Sequence, residues 1–218
     1  YPILGKILEL IYPPSPTLNT MPIKVINNIK KKLFGLGDKK VMNVGCGSTI
    51  GCGRRLWFNV DMKNVLNVDI ENGPGVDKIA DAHNLPFKNE TFDSVIMQAV
   101  IEHLHSPNKA IDEAYRILKK DGYLYLEVPF MQGYHSDPYD YQRYTLVGLK
   151  KLLEKYNKIV LSGVSVGPFC SLIWIIRDFI SNLTNIRFVN YFFRFILSWV
   201  LSPFRYLDYL VKHTNGSK

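Results

Sequence analysis

Residues 41–49 read V-M-N-V-G-C-G-S-T, and residues 67–70 read N-V-D-I. A run of strand-forming residues opens into a turn that carries Gly45 and Gly47, and a second short strand closes on Asp69. Glycines let the backbone approach a ligand with no Cβ in the way. A carboxylate only accepts hydrogen bonds, so Asp69 at the end of the next strand suits the two donors of a ribose diol. The layout is that of a site for a nucleotide-type cofactor. Gly45-x-Gly47 lacks the third glycine of the dinucleotide fingerprint, where Ile50 stands, and the pair alone is equally ordinary turn chemistry.

The neighbouring segments weigh toward a site. Residues 41–45, 65–69, 77–80, 92–97 and 123–128 read as short strands. Between the last two, Ala110, Ile111, Ala114, Ile117 and Leu118 recur at helical spacing from Pro107, and Asp121-Gly122 is the stop signal. Leu146 to Tyr156 predicts another helix, and Lys158 to Val166 another strand that ends at Gly167-Pro168. Strands alternating with helices predict an α/β fold: a Rossmann-like, doubly wound, mostly parallel sheet with helices on both faces. Ligands of such sheets sit beyond the carboxyl ends of the strands, where Gly45, Asp69, Asp81, Gln98 and Pro129 all fall.

Taken in order, these segments resemble a class I S-adenosylmethionine-dependent methyltransferase over about residues 40–156. V-M-N-V-G-C-G is similar to that family's first motif, N-V-D-I to its second, and D-A-H-N-L-P-F at 81–87 to its third. F-D-S-V-I-M-Q-A-V-I-E-H-L at 92–104 resembles the fourth, and E-A-Y-R-I-L-K-K-D-G-Y-L at 113–124 the helix, turn and strand that follow. The resemblance implies S-adenosylmethionine as cofactor. It implies that Gly45, Cys46 and Gly47 line the methionine side, that Asp69 binds the ribose, that Asp81 and Ala82 meet the adenine, and that Gln98 lies beside the sulfonium. Asn43 and Ile70 complete the expected cofactor set; the family has an acidic residue where Asn43 stands and a third glycine where Thr49 stands.

Residues 129–145 read P-F-M-Q-G-Y-H-S-D-P-Y-D-Y-Q-R-Y-T, dense in polar and aromatic groups beside the expected cofactor edge. H-x-D-P-x-D-Y-x-R-Y-T before a G-L-x-x-L helix resembles a branch of methyltransferases (the type 11-like branch) often associated with sugar or cell-envelope glycan modification. His135, which titrates near neutrality, is the candidate general base. Asp137 or Asp140 would orient its other nitrogen, and Arg143, Tyr139 and Tyr144 would bind the acceptor, the arginine bidentately to a carboxylate or phosphate. The same residues also read as local structure: Ser136-Asp137-Pro138 is a turn sequence, Thr145 a helix cap, and Arg143 a partner for Asp140. His103 and His105 after Glu102 would reach a metal only together with His135, and no metal is expected.

The net charge of +8 is unevenly placed. Residues 41–160 hold 14 Lys/Arg against 15 Asp/Glu, so the flanks hold 13 against 4. A neutral middle with no N-P-P-Y-type element speaks against nucleic acid. Basic, apolar flanks point to an anionic membrane surface. Three cysteines without framework spacing fit reduced thiols and a cytoplasmic protein, peripheral at the inner face of a membrane if its tail binds there. The expected organisation is an amphipathic basic extension over 1–39, the cofactor-binding domain over 40–168, and apolar basic helices over 169–218. On a helical wheel from Arg187, the residues Arg194, Ser198, Arg205 and Lys212 fall within about 40° of one another, opposite Phe188, Phe192, Ile196, Val200 and Phe204. Pro203 should break this helix. The tail reads as a membrane-interface element, a homodimer contact or a cover for the core. Ile186 to Val189 is the candidate for the family's final strand. The expected reaction is methyl transfer to a hydroxyl of a sugar or lipid-linked glycan. Its alternatives are an isoprenoid quinone or other lipid acceptor, and an idle scaffold to which the departures at Asn43 and Thr49 lend support.

Overall fold

A computed structural model describes residues 18–47, 62–135 and 139–211. The chain forms two compact units: one of residues 22–130 and 134–159, the other containing 131–133 and the chain from 160 onward together with residues before 22. The helices are α1 (Ile23–Phe34), α2 (Pro107–Ile117), α3 (Leu146–Leu152), α4 (Pro168–Ser181), α5 (Arg187–Leu201) and α6 (Asp208–Val211).

The larger unit is built on five parallel strands: β1 (Val41–Val44), β2 (Val65–Asp69), β3 (Lys78–Ile79), β4 (Phe92–Gln98) and β5 (Leu118–Glu127), in the order β3-β2-β1-β4-β5. Central parallel strands lie under helices on both faces, and all four residues of β1 are buried. The register aligns Met42 with Leu66 and Val95, and Val44 with Val68 and Met97. Side chains alternate across a strand, so these residues share one face. They form a core with Ala110, Ile111, Ala114 and Ile117 of α2, and Leu149 and Leu152 of α3 pack at its edge. Val41, Val65 and Ile96 belong to the opposite face. The helix α1 packs on β4 and β5 through its buried Ile29, Leu33 and Phe34, and Lys32 Nζ lies 5.2 Å from the centre of the Tyr123 ring.

Two polar devices fasten this unit. Asn43 Nδ2 donates to Asn67 Oδ1 at 3.0 Å, and the Asn67 backbone and side-chain amides donate to Asp77 Oδ2 at 2.8 and 3.2 Å. Buried amides across β1, β2 and the loop before β3 are thereby satisfied. On α2, Arg116 donates to both oxygens of Glu113 and to the carbonyls of Leu85 and Phe87, while Glu113 Oε2 accepts from Leu85 N at 2.7 Å. The loop carrying Asp81 and Ala82 is held against α2 by this pair.

The structure departs from the sequence pattern in three places. The chain enters β5 at Leu118 rather than Tyr123, directly from α2. Asp121 takes a left-handed φ of 63°, the register slips between Phe92 and Ser94, and a Cβ on Gly122 would meet Lys119 O at 2.9 Å. Asp121-Gly122 is therefore an irregularity inside the strand. Residues 158–166 are not a strand; among the described residues they make one antiparallel bridge, Val166 to Asn19. Ile159, Val160 and Leu161 are exposed. Ile186 precedes a helix, and Arg187 to Val189 are its first turn, so the expected final strand is absent there.

The smaller unit is made of α4, α5, a 3-10 turn (Ser202–Leu207) and α6. The helix from Arg187 breaks at Ser202-Pro203, where proline lacks the N–H that continues the ladder. Of its polar side, Ser198 is buried while Arg187 and Arg194 stay exposed. Asp208 is fully buried and accepts from Phe169 N at 2.7 Å and Cys170 N at 3.0 Å, in the first turn of α4. A Cβ on Gly167 would come within 2.4 Å of Asp208 Cγ. Burial and the hydrogen bond to Asp208 push the Cys170 thiol up to about 12. Arg177 is buried over the Trp174 ring at 4.2 Å, and Arg177 and Arg194 meet Asp178 at 3.2 and 3.3 Å. Ser198 and Ser202 are also buried, whereas Phe179, Phe188, Phe192 and Trp199 are exposed. No described helix is long and apolar enough to cross a membrane.

Replacing Glu113 with Gln is expected to cost about 1–3 kcal/mol at pH 7, the range for hydrogen bonds to charged groups. The Arg116 hydrogen bonds and Leu85 N, which outweigh burial, lower the Glu113 pKa below its ordinary 4.5. A depressed carboxylate stabilises the fold above that value and loses its contribution as pH falls below it. Urea denaturation should therefore show the gap between wild type and variant closing in acid.

Candidate functional site

β1 lies at the point where the chain turns to β2 on one side and to β4 on the other, so helices leave in opposite directions and a crevice opens at the carboxyl ends of β1 and β4. The turn after β1 forms its floor. Gly45 and Gly47 have φ of 67° and 84°, a region costly for other residues. Gly45 N donates to Val68 O at 2.8 Å, and a Cβ on Gly45 would lie 2.4 Å from Val100 Cγ2. Gly45 is thus fixed by packing against the turn that follows β4. Gly47 N donates to Asp69 Oδ2 at 2.7 Å, and Glu71 N to Asp69 Oδ1 at 3.1 Å. Two amides aim this carboxylate, and a carboxylate accepts about four bonds, which leaves capacity for a diol.

The other residues expected around the cofactor are placed as follows. Cys46 is buried, with Sγ 3.7 Å from Gly47 O, and Ile70 is exposed just past β2. Asp81 accepts from His83 N and Nδ1 at 2.8 and 2.7 Å; burial opposes its ionisation, but these bonds outweigh it and its pKa is lowered. Ala82 is buried beside it. Gln98 ends β4 and donates to Glu127 Oε2 at 2.9 Å, an oxygen that also accepts from Tyr125 Oη. Asn43, by contrast, is occupied across the sheet with Asn67.

Beyond β4, the 3-10 turn Ile101–His103 carries a second group of side chains, over which residues 139–145 are tied. Tyr141 N donates to Glu102 O at 2.8 Å, and Gln142 Nε2 donates to Ile101 O and Leu104 O at 2.8 Å. His103 Nδ1 lies 2.6 Å from Tyr139 O, which can only accept, so this nitrogen carries the proton. The His103 and His135 rings meet edge to face, with centroids 5.0 Å apart. Asp140 accepts from His135 N at 2.9 Å and is gripped by both terminal nitrogens of Arg143. That hydrogen bonding outweighs burial and holds the Asp140 carboxyl far below the ordinary range. Arg143 Nη2 is also 3.3 Å from His135 Nδ1. Tyr139 is exposed and stacks obliquely on Tyr141, while Tyr144 packs against the core; burial and the nearby Glu102 raise the Tyr144 pKa. Asp137 lies outside the described residues.

Glu102 is the residue sequence reasoning passed over. Its side chain has no exposed surface, and neither carboxylate oxygen has a hydrogen-bond partner. Burial pushes its pKa up to about 7, against the pull of its own backbone amide, His103 and Arg143. An acid inside the apolar run V-I-E-H-L was the available signal. Gln142 and Glu127, which hold the edges of the site, carried none.

Comparisons with known proteins agree with this geometry. Residues 42–126, from β1 to the end of β5, match the family model described as a methyltransferase domain. The uncharacterized protein MJ1123 of Methanocaldococcus jannaschii is 46% identical over 44 residues, 20% of this chain and 22% of that protein. The match thus spans about a fifth of that relative's length. The crystal structure of MccD protein is similar over 84% of this chain and 91% of that one, with a TM-score of 0.52 at 16% identity, a likeness of fold. The 1,6-didemethyltoxoflavin-N1-methyltransferase of Burkholderia thailandensis, solved with S-adenosylhomocysteine, covers 61% of this chain and 65% of its own at 17% identity and a TM-score of 0.43. The stretch from β1 to the end of β5 is thus similar to a methyltransferase domain, and the Burkholderia thailandensis neighbour holds S-adenosylhomocysteine in its own structure. The left-handed glycine turn and the amide-aimed Asp69 fit such a group.

If Asp69 receives the ribose, Asp69→Ala should weaken S-adenosylhomocysteine tenfold or more by calorimetry, since a lost hydrogen bond to a charged group costs about 1.5–3 kcal/mol. An unchanged affinity would remove Asp69 from the cofactor set.

Proposed function

We propose that this chain, with its class I S-adenosylmethionine-dependent methyltransferase domain, methylates a hydroxyl of a sugar or lipid-linked glycan. The observation that carries the reading is the strap of residues 139–145, tied by four hydrogen bonds to the turn after β4 next to Gln98. In this reading Gly45, Cys46, Gly47, Asp69, Ile70, Asp81, Ala82 and Gln98 hold the cofactor, and the strap holds the acceptor. When bound, S-adenosylmethionine supplies an electrophilic methyl group, whose C–S bond breaks with the electron pair kept by sulfur as the acceptor's oxygen bonds to carbon. The protein's own work is alignment and dehydration of the acceptor, for which effective molarity supplies the larger part of the acceleration. Tyr139 and Tyr144 offer faces for a sugar ring. Arg143 keeps its guanidinium charge beside the acceptor while Asp140 fixes its orientation. The hydroxyl's proton is lost at the cluster of Glu102, His103 and His135, with Asp137 adjacent in sequence. A hydroxyl near pKa ~16 must shed its proton as it is alkylated, and such positioned groups contribute about 100- to 10,000-fold. His135→Ala should therefore slow methylation of a hydroxyl acceptor at least about 100-fold in a labelled-cofactor assay, with S-adenosylhomocysteine affinity retained. Full activity would remove His135 from the chemistry.

A membrane-borne acceptor is favoured by the smaller unit taken by itself. Its helices turn Arg177, Ser198, Ser202 and Asp208 inward and leave Phe188 at 79% and Phe179 at 69% exposure. An exposed apolar patch of this kind marks an interaction surface, and with the exposed Arg187 at the start of α5 it suits the interface of an anionic bilayer. An isoprenoid quinone or other lipid fits the same surface, but gives no use to Asp140 and Arg143. Vesicle flotation tests this part. The triple change Phe188→Glu, Phe192→Glu and Phe179→Glu should release the protein from vesicles rich in phosphatidylglycerol; recovery unchanged by the substitutions would contradict it, and a shift from dimer to monomer on the same change would assign the face to a second copy.

A further inference from the structure

The turn after β4 and the strap over it bring three ligating groups together: Glu102, His103 and His135, each offering an atom within 4.8 Å of the others. The geometry points to a divalent metal site of the first transition row, of the kind that takes Zn2+, held by the Glu102 carboxylate and the two imidazoles.

Three features carry the assignment. Tyr139 O can only accept, so His103 donates through Nδ1 and presents a lone pair at Nε2, which lies 3.9 Å from Glu102 Oε1. Two acceptors therefore face each other at the core of the cluster. A backbone carbonyl on the far nitrogen is also the support that metal-ligating histidines ordinarily have. Second, Glu102 is completely buried with both oxygens unpartnered. An orphaned carboxylate there is costly to keep ionised, and a cation on it removes that cost. Third, the donor set is one carboxylate and two imidazoles, which suits zinc-like ions and leaves one or more positions open. The positive charge nearest the site is Arg143, and Asp140 already neutralises it.

The present spacing is wider than a filled site needs. Metal–ligand bonds of about 2.0–2.2 Å put ligand atoms about 3–3.4 Å apart, so side-chain rotations must draw the three groups together by about 1 Å. His103 and His135 are only half-buried, which leaves them room to move and an ion a route in. In the proposed function, where residues 139–145 hold the acceptor, the open position is the place for the acceptor's hydroxyl. An acceptor hydroxyl there is acidified by the ion and gives its proton to water, with His135 as ligand rather than proton acceptor. That role rests on the acceptor-side reading of the cluster; the binding of the ion does not.

Calorimetry of the chelator-stripped full chain with ZnCl2 tests the site, with S-adenosylhomocysteine titrated into the same samples to report that the cofactor half is intact. The expected result is one Zn2+ per chain at micromolar Kd or tighter, weakened at least tenfold by Glu102→Gln and by His103→Gln, and unchanged by His105→Ala outside the cluster. No stoichiometric binding below about 100 μM, or an affinity that either Glu102→Gln or His103→Gln leaves unchanged, overturns the site. S-adenosylhomocysteine binding that persists in that case leaves the methyltransferase reading standing, and its loss in the wild type would overturn that reading separately.

Discussion

The molecule depends on the double pairing of β1. Four residues hydrogen-bond in parallel to β2 on one side and to β4 on the other, and every other placement follows. Parallel pairing forces long crossovers that cover both faces, which is why β1 is buried throughout. The two crossovers leave in opposite directions, so the ends of β1 and β4 part and leave a crevice. Gly45 stands at that division. Its left-handed turn and lack of a Cβ let Val100 come close, and this brings the turn after β4 beside the turn after β1. Cofactor residues and the Glu102 cluster are neighbours because of one glycine's contact.

Polar groups near the crevice are largely spoken for by the protein itself. Asp69 is aimed by two amides, Gln98 by Glu127, and Asp140 by Arg143. Groups held in this way present a fixed arrangement and lose little freedom on binding. Asn43 is the contrast: it is turned to the sheet, which it serves through Asn67. Glu102 is the other contrast, a buried carboxyl with no partner, which makes the turn after β4 the place where the fold is most in need of a proton, a cation or a ligand.

Much of this was legible in the sequence. The strands at 41–44, 65–69 and 92–98, the helix from Pro107 and the break at Pro203 follow from alternation, helical spacing and proline chemistry. The start of β5 did not, because Lys119, Lys120 and Asp121 read as a helix end and stop although they lie inside the strand, between the paired Leu118 and Tyr123. The stretch 158–166 has strand composition yet makes only the Asn19–Val166 bridge among the described residues, since pairing is a property of the fold rather than of the segment. The helical wheel set Ser198, which is buried, opposite Phe188, Phe192 and Val200, which are exposed, but a wheel cannot say which side faces in. Asp208 decides that, by accepting from the first turn of α4. In the site, glycines and acids at strand ends were legible because their local geometry is local chemistry. Glu102 showed only as an acid inside the apolar run V-I-E-H-L; its setting is not local, because Tyr141 and Gln142 tie the strap to the backbone of its turn from about 40 residues away.

A crystal structure of the chain with S-adenosylhomocysteine tests the central claim most directly. The account predicts the ligand in the crevice between β1 and β4, its amino-acid end on the Gly45–Gly47 turn, its ribose hydroxyls on Asp69 and its sulfur facing Gln98. A ligand bound elsewhere, or a crevice that remains empty at saturating ligand, would contradict it.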